Sequence, residues 1–199
     1  MPKTPKNFYI FRHGECPLNV SGRIQGQTFD GELTEKGRAQ ARRAGRKLQN
    51  KNIEIIVSSP MKRARQTAAI VASYVKAPIV FDDRLKEVNM GIVEGMHISE
   101  VETKYKDIYL KWRDCRLEDT TTRFENGETK AEVRQRILEV LNHYAEETDY
   151  ICIGVSGHGI TISQTLLSLG IRKYDIPNGS VMHLTYRGHN WNYNGFLED

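Results

Sequence analysis

Phe8-Tyr9-Ile10-Phe11-Arg12-His13-Gly14-Glu15 is the stretch that decides the fold. Its first four residues are aromatic or β-branched, which predicts a buried strand that ends at a cation, an imidazole and a glycine. In an open α/β sheet, ligands bind outside the carboxyl ends of the strands, where Arg12 and His13 would emerge. Gly14 would let the backbone turn sharply and approach a ligand closely. The stretch therefore predicts either a histidine nucleophile facing an anion or a strand end that only meets solvent.

The composition indicates an ordinary globular protein. Of 199 residues, 39% are hydrophobic and 27% are charged, and we expect one domain over residues 1–199. The net charge of +4 suits a small anionic substrate and is too weak to indicate nucleic acid or a membrane as partner. Three cysteines without metal-ligand spacing predict reduced thiols and a cytoplasmic location. We see no signal peptide and no apolar run of membrane-spanning length.

Predicted strands and helices alternate along the chain. Apolar runs predict further strands at 53–57, 78–81 and 150–155, and a closing hairpin at 181–186 and 191–196. Capping residues and helical spacing predict helices after Thr34, at Ser58-Ser59-Pro60, after Ser99 (with Glu102 in a capping box), after Thr129 and at Ile160. This alternation predicts an α/β fold, a three-layer α/β/α arrangement with a mostly parallel central sheet.

Two of the predicted strands end in a histidine next to glycine, at His13 and His158. Arg63 falls in the first turn of a predicted helix, where free N–H groups favour anions, although a surface charge would suit that place equally. Because arginine presents a fork of donors to phosphate oxygens, Arg12 and Arg63 are candidates for holding a phosphate. Long polar loops at 15–33 and 114–127 are candidates for lining or covering such a site.

Phosphoryl transfer to a histidine makes definite demands. The attacking nitrogen must be unprotonated, and the other ring nitrogen must be held by an acceptor. A carboxylic acid would then protonate the leaving oxygen and later deprotonate water. Glu15, Glu87 and Glu94 are candidates for that acid, and their spacing does not choose among them.

The basic run after Thr34 and the remaining histidines are better explained as structural or surface residues than as parts of a functional site. The basic run after Thr34 has no interleaved aromatic residues, so a solvated helix face explains it better than nucleic-acid binding. The members of this run are Arg38, Arg42, Arg43, Arg46 and Lys47. The remaining histidines show no chelating spacing and are interpreted as structural or surface residues. They are His97, His143, His183 and His189.

Taken together in order, the motifs resemble the histidine phosphatase superfamily, also called phosphoglycerate mutase-like, from residue 8 to about residue 186. The segments that carry the resemblance are Arg12-His13-Gly14-Glu15 with Asn19, 22–26, 33–37, 58–64 with Gln66-Thr67, 86–91 with Glu94-Gly95, and Ser156-Gly157-His158-Gly159. The resemblance implies that His13 is a phosphorylated nucleophile and that Glu87 is the proton donor. It also implies phosphate contacts from Arg12, Asn19, Gln25, Arg63, His158 and Gly159, with no metal and no cofactor.

Three positions depart from the family pattern. Cys16 stands where many members have serine or threonine, so a hydroxyl contact to phosphate is in question. The segment 30–32 replaces the usual small residue and proline before Leu33, which puts the rim of the site in question. Gly157 precedes His158 where many members have serine. None of these departures removes a member of the implied catalytic set.

The resemblance implies a phosphomonoesterase that hydrolyses a small phosphorylated metabolite through a covalent phosphohistidine. One alternative is a cofactor-dependent phosphoglycerate mutase. Those mutases have an arginine-tyrosine pair after the acid glutamate, whereas Asn89-Met90-Gly91 follows here. Another alternative is a non-catalytic member that binds a phosphorylated partner. The sequence does not decide the substrate or the oligomeric state.

Overall fold

Six strands form one sheet in the computed structural model, which describes residues 4–114 and 119–198. The strands are β1 (Lys6–Arg12), β2 (Ile55–Ser58), β3 (Ile79–Phe81), β4 (Cys152–Gly157), β5 (Val181–Arg187) and β6 (Asn190–Phe196). Their order across the sheet is β3-β2-β4-β1-β5-β6. The first four strands in this order are parallel, and the β5–β6 hairpin pairs antiparallel with β1. The predicted α/β fold with its closing hairpin is confirmed.

Helices cover both faces of the sheet. They are α1 (Pro17–Val20), α2 (Glu35–Leu48), α3 (Lys62–Val75), α4 (Ile98–Lys104), α5 (Lys106–Arg113), α6 (Lys130–Glu146) and α7 (Gly159–Ser168), with 3-10 turns at Asp83–Leu85 and Gly91–Val93. Because side chains alternate along a strand, β1 contributes to two cores. Phe8 and Ile10 pack with residues of α6 and α7, whereas Tyr9 and Phe11 pack with residues of α2 and α3.

This layering creates a crevice between β1 and β4. The two strands are neighbours in the sheet, with Arg12 in register with Gly157. The helix α2 follows β1 onto one face and α7 follows β4 onto the other. The chain therefore diverges at this point, and a crevice outside the carboxyl ends is where open α/β sheets bind ligands.

Helix α3 begins later than predicted. The prediction placed Ser58-Ser59-Pro60 at its start, but the helix begins at Lys62 with Met61 as its N-cap residue. Asp30 supplies the cap instead, because its carboxylate accepts hydrogen bonds from the backbone N–H groups of Lys62 and Arg63. A cap contributed by a residue distant in sequence leaves no local signal. The hydroxyl of Ser59 lies beside the ring of His158 instead.

The region after Gly95 also differs from the prediction. His97, rather than Ser99, caps α4 and forms a capping box with Glu100. The predicted single helix is interrupted at Tyr105, whose ring packs edge-on against Phe124. The predicted irregular loop at 114–127 includes residues 115–118, among them Cys115, which lie outside the described residues. The capping box at Thr129 and Glu132 is confirmed.

Candidate active site

The carboxyl edge of the sheet brings His13 and His158 together. Each follows the last residue of a neighbouring parallel strand, and their ring centroids are 5.2 Å apart. Both side chains are buried. The sequence-based expectation that the two glycine-flanked histidines converge is therefore met. Ser59 follows β2 at the same edge, and its hydroxyl lies 2.8 Å from Nε2 of His158.

A backbone acceptor fixes the tautomer of His13. Nδ1 lies 2.8 Å from the carbonyl oxygen of Gly14. Because a carbonyl can only accept, Nδ1 carries the proton in the neutral ring, and Nε2 keeps its lone pair. Backbone contacts hold the residue itself, since its N–H donates to Gly157 and its carbonyl accepts from the side chain of Asn178 at 3.0 Å. Sequence reasoning missed Asn178, which lies in a loop without a distinctive pattern.

The electrostatic surroundings keep both histidines neutral. Burial lowers the pKa of His13 well below its usual value, and the positive charges of Arg12 and Arg63 lower it further. Burial likewise lowers the pKa of His158, with Arg63, His13 and Arg12 adding to the effect. A neutral His13 at physiological pH is what a nitrogen nucleophile requires.

Arg63 is fully buried, so the interpretation of a surface charge is wrong. Its Nη1 donates to the carbonyl of Phe29 and to Oδ1 of Asp30, both at 3.1 Å, and its Nη2 donates to the carbonyl of Gly26 at 2.9 Å. The segment 30–32, which departs from the family pattern, thus anchors this guanidinium through Asp30. Arg12 is held at its Nη1 by the carbonyl of Ile176.

Buried polar atoms without partners concentrate at this place. Among the described residues, five buried side-chain nitrogen or oxygen atoms have no hydrogen-bond partner. They are Arg12 Nε, Arg63 Nε, His158 Nδ1, Trp112 Nε1 and Ser163 Oγ. The first three belong to residues that the resemblance assigns to a phosphate pocket. Since Ser59 Oγ accepts from the backbone N–H of Met61 at 3.3 Å, its proton can go to His158 Nε2, which makes Nδ1–H of His158 a donor.

We call Arg12, His13, Arg63 and His158 the phosphate site. Buried donors are nearly always paired in native proteins, and an unpaired one requires an explanation. Here two guanidinium N–H groups and one imidazole nitrogen lack partners, on arginines whose charges act on His13 and on a histidine whose ring lies beside it. This arrangement can bind a tetrahedral oxyanion and present its central atom to His13.

The side chains of Asn19 and Gln25 both contact Cys16, and the charges of Arg63 and Arg12 act on the thiol of that residue. The side-chain oxygens of both amides lie 3.0 Å from the Cys16 sulfur, and that of Asn19 also accepts from the Cys16 backbone N–H. With the oxygens turned toward Cys16, the amide NH₂ groups are the donors that these side chains offer to an anion. Burial raises the pKa of the Cys16 thiol, so the thiol stays protonated and donates a hydrogen bond as a hydroxyl would.

Two glycines act by making room for other groups of the site. A side chain at Gly159 would lie 3.3 Å from the guanidinium carbon and Nε of Arg12, so this residue lets α7 approach Arg12 closely. A side chain at Gly14 would lie 2.3 Å from the carbonyl oxygen of Gly37. The space at Gly14 is therefore occupied by α2, and the expectation that it serves a ligand's approach is not what the packing indicates.

The three candidate carboxylates have different surroundings. Glu15 pairs with Lys36 at 2.8 Å and contacts the hydroxyl of Thr34 at the start of α2. Glu94 accepts three backbone N–H groups from residues 27, 28 and 90, which fixes two loops. Glu87 accepts from the N–H of Ile160 at 3.3 Å in the first turn of α7, and its charge acts on Arg12. Of the three, Glu87 is the one that geometry associates with the phosphate site.

A cavity of about 400 Å³ adjoins the phosphate site. Arg12, Asn19, Gln25 and Gly159 line it, and the rest of its lining comes from the loop after α1, from Met90 in the loop that carries Glu87, from α4, α5 and α7, and from residues 174–177. This cavity, which we call the leaving-group cavity, is the space into which the organic part of a bound phosphate ester would extend.

In residues 4–114 and 119–198, no group of three or more His, Cys, Asp or Glu side chains is arranged to hold a metal ion. Over the same residues, no helix combines the length and the apolar character that crossing a bilayer requires.

Comparison with protein-family models identifies one match that covers nearly the whole chain. The model described as "Histidine phosphatase superfamily (branch 1)" matches residues 8–198. Among curated proteins, the chain is 31% identical to "Probable phosphoglycerate mutase GpmB" of Proteus mirabilis over 196 residues, covering 95% of this chain and 89% of the relative.

Superposition on solved structures also relates this chain to phosphatases and phosphoglycerate mutase-like proteins. YhfR of Bacillus stearothermophilus superposes with a TM-score of 0.83 at 28% identity, covering 95% of each chain. The mycobacterial glucosyl-3-phosphoglycerate phosphatase in complex with VO3 superposes with a TM-score of 0.79 at 27% identity, covering 96% of this chain and 98% of that one. These relatives include a named phosphatase and a named mutase.

Proposed function

This chain belongs to the histidine phosphatase superfamily, and on that premise we propose that it is a phosphomonoesterase that uses His13 as its nucleophile. The observation that carries the proposal is the set of unpaired buried donors on Arg12, Arg63 and His158 beside the lone pair of His13. A structural role explains paired guanidinium groups, but it does not explain buried N–H groups that have no acceptor.

In the first proposed step, the oxyanion of a phosphomonoester binds to the donors of Arg12, Arg63 and His158. Nε2 of His13 attacks phosphorus, the bond from phosphorus to the ester oxygen breaks, and a carboxylic acid at Glu87 protonates the departing alkoxide. The Gly14 carbonyl stabilises the positive charge that develops on the imidazole through Nδ1–H. The two arginines stabilise the charge on the transferring phosphoryl group, as Lewis acids do in other phosphatases.

In the second proposed step, the Glu87 carboxylate takes a proton from water as the water oxygen attacks phosphorus. The bond between phosphorus and Nε2 then breaks, and inorganic phosphate and neutral His13 are regenerated. Glu87 thus acts first as acid and then as base on the same face of the phosphoryl group. Asn19, Gln25 and the N–H of Gly159 would add hydrogen bonds to the phosphoryl oxygens.

A mutase is the second candidate, because the Proteus mirabilis relative carries that name. The two activities differ in what takes the phosphoryl group from His13, water or a second hydroxyl of the substrate. The deciding assay offers 3-phosphoglycerate with a bisphosphoglycerate primer and measures free phosphate and isomerised product together. Phosphate without isomerisation supports hydrolysis, whereas isomerisation well above phosphate release would establish the mutase. No turnover of any phosphate ester would leave the non-catalytic phosphate binder.

We further propose that hydrolysis needs no metal ion, since Arg12 and Arg63 supply the positive charge at the phosphate site. Activity should survive a chelator at millimolar concentration, and vanadate should inhibit competitively as a phosphoryl mimic. Loss of activity in chelator that a divalent cation restores would contradict this part of the proposal.

A further inference from the structure

The leaving-group cavity has an apolar wall between the phosphate site and solvent. Its aliphatic and aromatic lining residues include Ile24, Met90, Ile98, Tyr109, Ile160 and Ile176. An ester held by its phosphate at Arg12 must place its organic part against this wall. Contact between an apolar wall and an apolar group removes both from water, and each buried methylene contributes about 0.8 kcal/mol.

Away from the phosphate site, two arginines that line the cavity already have partners in the protein. Arg23 donates to the carbonyl of Gly95 at 2.8 Å. Arg113 donates to the carboxylate of Asp175 at 3.2 Å and stacks over the ring of Tyr174, 4.8 Å from its centroid. A polyhydroxylated or carboxylated leaving group would have to compete with these partners, and it would lose its own water without full replacement.

We propose that the preferred substrates are monoesters of phosphoric acid with an apolar alkyl or aryl group, rather than phosphates of sugars or hydroxy acids. This inference rests on the proposed phosphatase function and names its substrate class. It predicts a preference that depends on the cavity wall and not on the phosphate site, so the two can be tested separately.

The test uses n-alkyl phosphates from propyl to hexyl, whose leaving alcohols are nearly equal in reactivity. We expect kcat/KM to rise by up to about fourfold per added methylene. Butyl phosphate should also exceed 3-hydroxypropyl phosphate, which has the same length and a terminal hydroxyl, by about tenfold or more. Ile98→Asp should flatten the series, and Ile98→Val should keep it. Aspartate is tolerated in the first turn of a helix, so this variant is expected to fold.

A binding measurement distinguishes a failure of this substrate-class inference from a failure of the phosphatase proposal. The dissociation constants of propylphosphonate and hexylphosphonate, which cannot be hydrolysed, should show the same chain-length trend by calorimetry. Hydrolysis with no dependence on chain length, or a preference for the hydroxylated ester, would overturn the apolar substrate class and leave the phosphatase intact. Tighter binding of hexylphosphonate without hydrolysis of any ester would do the reverse.

A different observation assigns a role to Arg136 on α6. All five N–H donors of its guanidinium have acceptors: Nε and Nη2 contact the carboxylate of Glu128 at 2.8 and 3.0 Å, Nη1 donates to the carbonyls of Arg84 and Lys86 at 2.6 Å each, and Nη2 donates to the carbonyl of Glu87 at 3.1 Å. Glu128 in turn accepts from the backbone N–H of Asn89 at 2.7 Å. The pair therefore holds the backbone on both sides of Glu87.

We infer that Arg136 is a positioning residue for the proton donor Glu87, which also rests on the proposed function. The loop that carries Glu87 contains only short 3-10 turns, so it lacks the hydrogen bonds of a regular element. Arg136 supplies those bonds from a helix that packs in the main core. Lysine has the charge but not the planar fork, so it cannot reproduce the set of contacts.

The test compares Arg136→Lys with Arg134→Lys on two substrates. Arg134 lies on the same helix and contacts Gln164 at 3.2 Å, so it is a matched control. Arg136→Lys should lower kcat/KM about tenfold on propyl phosphate and less than threefold on p-nitrophenyl phosphate, because only the alkoxide needs a proton. In a Glu87→Gln background the same change should cost little more, since both act on one step.

A purely structural role for Arg136 would give a different pattern. Arg136→Lys would then lower kcat/KM equally on both esters, and its effect would add fully to that of Glu87→Gln. Either result would overturn the positioning role. Thermal unfolding of each variant identifies any loss due to misfolding, and the ratio of the two substrates is independent of the fraction of active protein.

Discussion

The phosphate site and the anchor behind the Glu87 loop both depend on arginine, and they use it in opposite ways. Arg136 has an acceptor for each of its five donors, as a scaffold requires. Arg12 and Arg63 are also held by backbone carbonyls, yet each keeps a buried Nε–H without a partner. Charge is common to all three arginines, and under the proposed function the unpaired donor is what distinguishes Arg12 and Arg63 from Arg136.

The largest effect is expected from removing the imidazole of His13, on which the proposed function depends. His13→Ala should lower kcat/KM on p-nitrophenyl phosphate by about 10⁴-fold or more, the scale of losing a covalent nucleophile. His183→Ala is the control, since His183 stacks on Tyr9 outside the phosphate site. Circular dichroism and thermal unfolding should show a folded His13 variant. Hydrolysis retained in that variant would remove His13 from the mechanism.

The next largest effect should come from a binding arginine. Arg63→Ala should lower kcat/KM by about 10²- to 10³-fold, because it removes charge-assisted donors from a water-poor site. The matched control is Arg65→Ala on the same helix, where the exposed guanidinium lies over the ring of Phe81. Steady-state kinetics on p-nitrophenyl phosphate measures both. Similar small losses in the two variants would mean that the unpaired Nε of Arg63 does not report a ligand.

A smaller and more selective effect should follow from Glu87→Gln. An alkoxide needs a proton when it leaves and a nitrophenolate scarcely does, so kcat/KM should fall by about 10²-fold on propyl phosphate and clearly less on p-nitrophenyl phosphate. Glu94→Gln serves as a comparison, because within the described residues the contacts of the Glu94 carboxylate are with backbone N–H groups. Equal losses on the two esters for Glu87→Gln would direct attention back to Glu15 or Glu94.

The smallest predicted effect concerns stability. The pKa values of His13 and His158 are lowered by burial, so on acidification the unfolded chain takes up protons that the native chain does not. The contribution of these two histidines to the free energy of unfolding should be complete at pH values above their unfolded pKa of about 6.5. At lower pH, the free energy of unfolding should decrease by ~1.4 kcal/mol per pH unit for each histidine. Urea unfolding between pH 7.5 and 5 should show a shallower fall in His158→Gln than in the wild type. Equal slopes would contradict neutral burial of His158.

The sequence predicted the strands and the histidines well, because these depend on local patterns. The apolar run 8–11 and the glycine-flanked histidines at two strand ends suffice to place His13 and His158 at one edge, since parallel strands share their carboxyl ends. The resemblance likewise implied phosphate contacts for Asn19 and Gln25. Both side chains lie next to Cys16 in the structure, and their roles toward phosphate stay predictions.

What the sequence did not reveal depends on contacts between distant residues. The cap of α3 comes from Asp30, so the local serine signal at Ser58 and Ser59 placed the start of the helix too early. The contacts of Arg136 with the Glu87 loop join residues about 50 positions apart and follow no motif. Although the resemblance implied Glu87, spacing alone left the choice among Glu15, Glu87 and Glu94 open for the same reason, because only tertiary packing separates three similar carboxylates.

The central claim is that the phosphoryl group passes through Nε2 of His13. It is tested most directly by mixing the Glu87→Gln variant with ³²P-labelled p-nitrophenyl phosphate and quenching in alkali, where phosphohistidine survives. The good leaving group permits phosphorylation without an acid, and the missing base slows attack by water, so the intermediate should accumulate. We predict label on the peptide that contains His13 and none in the His13→Ala, Glu87→Gln double variant. Release of nitrophenol without labelled protein at any time, or label on another residue, would contradict the account.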